Sequence, residues 1–166
     1  MQQAQANVKP DLLCFSHLRW NFVYQRPQHL LSRAARQYRV HFFEEPLYET
    51  ASVPRLEVTA AAPDINVVVP ILPAQAEAGS EAVVLRGLLD FYLGSLRRAP
   101  EVGWYYTPMA LRFSGHLRFP VCVYDCMDEL TGFKGAPPDL ASFEYDLMDR
   151  VQVMFTGGLS LFEAKR

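Results

Sequence analysis

Three carboxylates gather where an apolar run gives out, in Val123-Tyr-Asp125-Cys-Met-Asp128-Glu129-Leu130. A carboxylate in such a place, partly desolvated and beside like charges, gains proton affinity and can take a proton from a hydroxyl. The same residues admit other roles: Asp128 can cap the turn that follows, Asp125 can pair with an arginine, and Asp-x-x-Asp-Glu offers oxygen ligands to magnesium. The chain has no Asp-x-Asp pair, the spacing of metal-dependent sugar-nucleotide sites. Asp125 and Asp128 are therefore read as candidate bases, with Glu129 beside them as a substrate contact, and no metal site is expected.

Three further places carry chemistry-bearing residues. His17, Arg19, Trp20, Asn21, Tyr24, Gln25, Arg26 and Gln28 follow the first apolar run. They mix stacking surfaces with hydrogen-bonding groups, as a sugar requires, although Trp20, Phe22 and Tyr24 can equally cover a sheet edge. Tyr105-Tyr106-Thr107-Pro108-Met109 ends another apolar run, where Tyr106 can face a ligand or simply pack. Phe155-Thr-Gly157-Gly158-Leu-Ser160 reads as a strand, a glycine turn and a helix start, which lets backbone N–H groups approach an anion; capping by Gly158 or Ser160 is the plainer alternative. The chain lacks the Walker and dinucleotide glycine patterns, the Gly-x-Ser-x-Gly elbow, His-Glu-x-x-His and Cys-x-x-Cys. His29, His41 and His116 are scattered and suit packing or solvent rather than metal.

The elements that must position these residues alternate along the chain. Asp11 to His17 is a short apolar run after Pro10 and predicts a buried strand. Pro27 suits a first helical turn; Leu30, Leu31, Ala34, Ala35 and Tyr38 then recur at helical spacing, with Gln28, Ser32, Arg33 and Arg36 on the polar side. Val40 to Phe43 predicts a second strand, stopped at Glu44-Glu45-Pro46. Arg55 to Ala61 and Ile65 to Val69 predict a hairpin turning at Pro63-Asp64. Ser80 and Glu81 open a helix with a stripe at Val84, Leu85, Leu88, Leu89, Tyr92 and Leu96; Arg97 and Arg98 suit its negative end. Strands are expected at Val102 to Tyr106, Pro120 to Tyr124 and Val151 to Phe155, with helices at Pro108 to Phe113, after Pro137-Pro138 and from Ser160. The pattern predicts an α/β fold: a doubly wound, mostly parallel Rossmann-like sheet with helices on both faces, in which ligands bind outside the carboxyl ends of the strands. Residues 1–10 are expected to form a flexible tail and residues 11–166 one domain. The closing helix has no stop signal, which points to truncation.

Composition narrows the class. Half of the 166 residues are hydrophobic and a fifth charged, which is globular. A net charge of -2 gives no pull toward nucleic acid. Cys14, Cys122 and Cys126 are odd in number and lie in or beside apolar runs, so a disulfide framework is not expected. With no signal-peptide pattern and no membrane-length apolar run, a cytoplasmic location is expected, including at the inner face of a membrane.

Taken together, Trp20 with Gln25-Arg-Pro-Gln-His-Leu30, Phe42-Phe-Glu-Glu-Pro46, Val123-Tyr-Asp-Cys-Met-Asp128 and Phe155-Thr-Gly-Gly-Leu-Ser-Leu161 with Glu163-Ala-Lys-Arg166 resemble a bacterial GT-B glycosyltransferase of the teichuronic-acid and cell-surface polysaccharide type. The resemblance implies the N-terminal, acceptor-side half of a two-domain enzyme, with the donor-binding C-terminal domain missing and the fragment inactive alone. It implies transfer from a nucleotide-diphosphate sugar to a hydroxyl of a sugar or polysaccharide acceptor, no cofactor or metal, and peripheral membrane contact. It further implies Asp125 or Asp128 as base, and Gly157, Gly158 and Ser160 as the near wall of the donor diphosphate site. Two other readings stay open: a self-sufficient sugar- or protein-binding module built on the Trp20 loop, and a small Rossmann-like enzyme using NAD, which the missing glycine fingerprint disfavours.

Overall fold

The computed structural model describes residues 8–50, 53–75 and 79–166. Eight strands form one sheet: β1 (Asp11–Ser16), β2 (Arg39–Glu44), β3 (Leu47–Glu49), β4 (Arg55–Ala62), β5 (Ile65–Pro73), β6 (Val102–Tyr105), β7 (Val121–Cys126) and β8 (Val153–Thr156). The helices are α1 (Arg26–Ala34), α2 (Glu81–Gly94), α3 (Leu111–Ser114), α4 (Leu140–Arg150) and α5 (Leu159–Ala164). The strand order is β3-β5-β2-β1-β6-β7-β8, every neighbour parallel, with β4 antiparallel on β5.

All six residues of β1 are buried, because parallel neighbours flank it and both faces of the sheet are covered there. From β1 the chain winds outward in two directions. The β1-α1-β2 crossover goes one way and β6-α3-β7-α4-β8 the other, so right-handed connections put the helices on opposite faces. One core layer packs Leu31 of α1 and Ala35, which caps its end, on Leu12, Cys14, Val40 and Phe42. The opposite layer packs Leu89 of α2, Leu111 of α3 and Leu147 of α4 on Leu13, Phe15, Phe43 and Tyr124. This is the expected α/β doubly wound, Rossmann-like sheet.

Several boundaries differ from expectation. α1 begins at Arg26 and ends at Ala34, leaving Tyr38 beyond it, and Gln28, expected on the polar side, is buried. Its amide has a structural use: Oε1 accepts from the N–H of Gln25 at 3.0 Å and Nε2 donates to the carbonyl of Trp20 at 2.7 Å. β3 was not anticipated. It resumes the line of β2 after Pro46, pairing Leu47 with Ile71 along the same edge of β5. β5 runs through Pro70 to Pro73, and the hairpin turns at Asp64, whose φ is 60°. β6 ends at Tyr105, so Tyr106 leaves the sheet, and Arg97 and Arg98 lie beyond α2.

Residues 1–7 of the expected tail lie outside the described residues. Lys9 is tied down, its ammonium donating to the Ala35 carbonyl at 2.8 Å and to Asp64 at 2.6 Å. At the amino ends of the strands His41, which the sequence left as a packed histidine, bridges Asp11 at 2.9 Å and the Tyr92 hydroxyl at 2.7 Å, fastening α2 to the sheet.

Candidate functional site

β1 lies between β2 and β6, so the chain's direction of winding reverses at the carboxyl ends of β1 and β6. Connections diverge at such a switch point and leave a crevice, the usual ligand seat of open α/β sheets. Ser16 and His17 leave β1 there, and Tyr106 and Thr107 leave β6, with the Tyr106 N–H donating to the Phe15 carbonyl at 2.8 Å.

The structure brings five of the anticipated residues to this point. Asp125, at the end of β7, is wholly buried and paired with Arg26: Nε donates to Oδ2 at 3.1 Å, and Nη2 stands 2.8 Å from Oδ1 in an ionic contact without hydrogen-bond direction. The pairing foreseen for Asp125 is thus its actual environment. Tyr106 is buried with its hydroxyl unpartnered, close to Asp125; burial first, then Cys14 and Asp125, push its ionisation far above the ordinary range. His17 keeps Nδ1 buried and unpartnered, and burial lowers its pKa against the opposing pull of the Tyr106 backbone and the Asp128 carboxylate. Burial thus favours its uncharged form. Asp128 is exposed, and the short helical turn at 130–132 begins without a side-chain cap, so Asp128 does not cap it.

The other anticipated residues do different work. Trp20 packs its ring against Phe42 with centroids 5.1 Å apart and donates its backbone N–H to Glu44 at 2.8 Å, while Phe22 and Tyr24 project into solvent. Arg19 bonds Glu44 and the carbonyls of Glu45 and Pro46, so the loop after β1 is clamped to the β2-β3 junction. Glu129 is held below the usual carboxylate range by Lys165, 2.8 Å away, and by Thr131; Lys165 also reaches Glu144 at 2.6 Å, which ties the C-terminal end to α4. Gly157, Gly158 and Ser160 are exposed beyond β8. Gly157 must be glycine because an added Cβ would come within 2.2 Å of the Met127 carbonyl oxygen, whereas Gly158 has open space around it.

Sequence reasoning missed a cleft. On the face covered by α2 and α3, a cleft of about 790 Å³ opens at the carboxyl ends of β1, β2 and β6. Ser16 and Thr107 reach it from the switch point; Glu44, Glu45, Tyr48 and Glu81 line its opposite side. Burial and the nearby Glu81 push the Glu45 carboxyl upward, with Arg19 opposing, and burial with Glu81 takes the Tyr48 hydroxyl up to about 12. The visible signal was Glu44-Glu45-Pro46 directly after a strand, read as a stop. Its partners Tyr48 and Glu81 are far apart in sequence and carry no motif. Among the described residues no cluster of His, Cys, Asp and Glu is arranged to hold a metal, and no helix is long and apolar enough to cross a membrane.

No protein-family model and no curated protein sequence matches this chain. Solved structures do. The trehalose-6-phosphate synthase of E. coli bound with UDP-2-fluoro glucose superposes with a TM-score of 0.58 over 93% of this chain at 14% identity. A UDP-forming α,α-trehalose-phosphate synthase from Burkholderia xenovorans in complex with glucose-6-phosphate gives 0.56 over 93% at 12% identity, and an α,α-trehalose 6-phosphate synthase from Burkholderia multivorans 0.54 over 95% at 10%. The chain spans 41%, 41% and 42% of those three chains. Its fold is that of one Rossmann-like domain of a GT-B protein.

Proposed function

We propose that this chain is the acceptor-side domain of a GT-B glycosyltransferase that moves a sugar from a nucleotide-diphosphate donor to a hydroxyl of a sugar or polysaccharide acceptor, in cell-surface polysaccharide synthesis at the cytoplasmic side of the membrane. The observation that carries it is the convergence of His17, Tyr106, Asp125 and Asp128 on the switch point of a sheet that has one structural neighbour described as UDP-forming and another bound with UDP-2-fluoro glucose. In this reading a second domain supplies the nucleotide pocket, and Gly157, Gly158 and Ser160 border the diphosphate across the interdomain cleft.

Roles divide by environment. Asp125 is committed to Arg26, so it holds that guanidinium at the site rather than moving protons. Asp128, exposed beside His17, is the base: the acceptor oxygen attacks the anomeric carbon and its proton passes to Asp128. The bond to the diphosphate breaks, and the diphosphate leaves with the electron pair. His17 orients the hydroxyl. A nucleotide-diphosphate release assay on the protein that carries this chain tests the assignment. Asp128→Asn should lower kcat by roughly 10²-fold or more, the ordinary worth of a positioned base; unchanged turnover would remove Asp128 from the mechanism. Sugar binding without donor turnover would instead favour a binding module.

A further inference from the structure

Resting on the acceptor-side reading, we infer that the cleft at the carboxyl ends of β1, β2 and β6 is the acceptor seat, and that it selects an amino-bearing or uncharged sugar against a phosphorylated or carboxylated one. Its volume of about 790 Å³ lies within the ~300–1,000 Å³ of small-ligand clefts. Phe15, Phe43 and Phe113 give it an aromatic floor, suited to the apolar face of a sugar ring.

One hydroxyl is placed to meet such a ligand. Thr107 is at least nine-tenths buried and lines the cleft. Its Oγ1 accepts the N–H of Met109 at 3.3 Å and still has a proton to give to a sugar hydroxyl.

Charge sets the selectivity. Glu45 and Glu81 both line the cleft, and the Glu45 carboxyl is pushed upward by burial and by Glu81 against the pull of Arg19, while Tyr48 spends its hydroxyl on Glu81 at 2.6 Å. The cations nearby are already engaged: Arg19 is bonded to Glu44 and two carbonyls, and Arg112 is paired with Asp139. Two carboxylates over an aromatic floor favour an ammonium and oppose a second anion. Here the chain parts from its Burkholderia neighbour, which was solved with glucose-6-phosphate.

The test is a panel of 2-amino-2-deoxyglucose, methyl glucoside, glucuronate and glucose-6-phosphate, titrated against the chain while backbone amide shifts and saturation transfer are followed by NMR. The amino sugar should bind tightest and move the amides of Ser16 and Thr107, with the two anionic sugars at least tenfold weaker. In Glu45→Gln/Glu81→Gln, whose side chains keep their shape and lie at the rim, the ratio of anionic to amino-sugar Kd should fall at least tenfold. Equal or tighter binding of an anionic sugar, or a ratio the double substitution leaves unmoved, overturns the charge selectivity and leaves the glycosyltransferase reading standing. No sugar at the cleft, with acceptor-dependent turnover still present in the release assay, overturns the seat alone; loss of both overturns the function as well.

Discussion

Replacing Arg26 by alanine strands the Asp125 carboxylate in a site with no solvent exposure, since Arg26 supplies both of its close cationic contacts, at 3.1 and 2.8 Å. Breaking a fully buried ion pair from one side destabilises by about 3–5 kcal/mol. Arg26 is itself 36% exposed, so water already screens the pair, and the expected loss is nearer 2–3 kcal/mol. For a chain of 166 residues this corresponds to a fall in Tm of roughly 5–10 °C. The penalty belongs to the charged carboxylate, so replacing it by a neutral amide should remove much of it. Urea unfolding of Arg26→Ala, with Arg26→Ala/Asp125→Asn as the second variant, checks this. The double variant should recover at least half of the loss. A single variant within about 0.5 kcal/mol of wild type, or a loss that the second substitution leaves unmoved, refutes the assignment of Arg26 as the partner of Asp125.

Gly157→Ala must push the Met127 carbonyl away from a contact of 2.2 Å, so the turn after β8 should shift and unfolding free energy fall by roughly 1–3 kcal/mol; a change below about 0.5 kcal/mol in urea melts would show the backbone there to be slack. Tyr48, Tyr92, Tyr105, Tyr106 and Tyr124 are all raised, chiefly by burial, Tyr48 and Tyr92 to about 12. Absorbance titration of the folded protein at pH ~10.5 should therefore ionise no more than three of its eight tyrosines. Because these folded-state values lie above the unfolded value of about 10, their contribution to stability is intact below pH ~10 and is lost as pH rises toward 12 and beyond; stability that holds level through that window would contradict it.

The sheet was legible because its strands are short apolar runs flanked by helices with a clear stripe, as with Leu12 to Phe15 and the Leu85–Leu89 face of α2. What escaped depended on contacts between distant residues. Gln28 looks polar and exposed at helical spacing, yet the loop carrying Trp20 folds back over it and takes both ends of its amide. Glu44 read as a strand terminator, whereas Arg19 and the Trp20 backbone hold it within β2, and the chain resumes as β3. Asp125 was visible as a carboxylate at a strand end, but only the fold could decide between a base and an arginine partner. The cleft was invisible for the same reason: Ser16 ends β1, Glu45 joins β2 to β3, Glu81 opens α2 and Thr107 follows β6, and they meet only when the sheet is assembled.

The central claim is most directly tested by nucleotide-diphosphate release from UDP- and GDP-sugar donors by the protein that carries this chain, measured with and without amino-bearing and neutral sugar acceptors. The account predicts release that depends on acceptor and collapses in Asp128→Asn; release from no donor in the presence of any acceptor, or release that the substitution leaves unchanged, would contradict it.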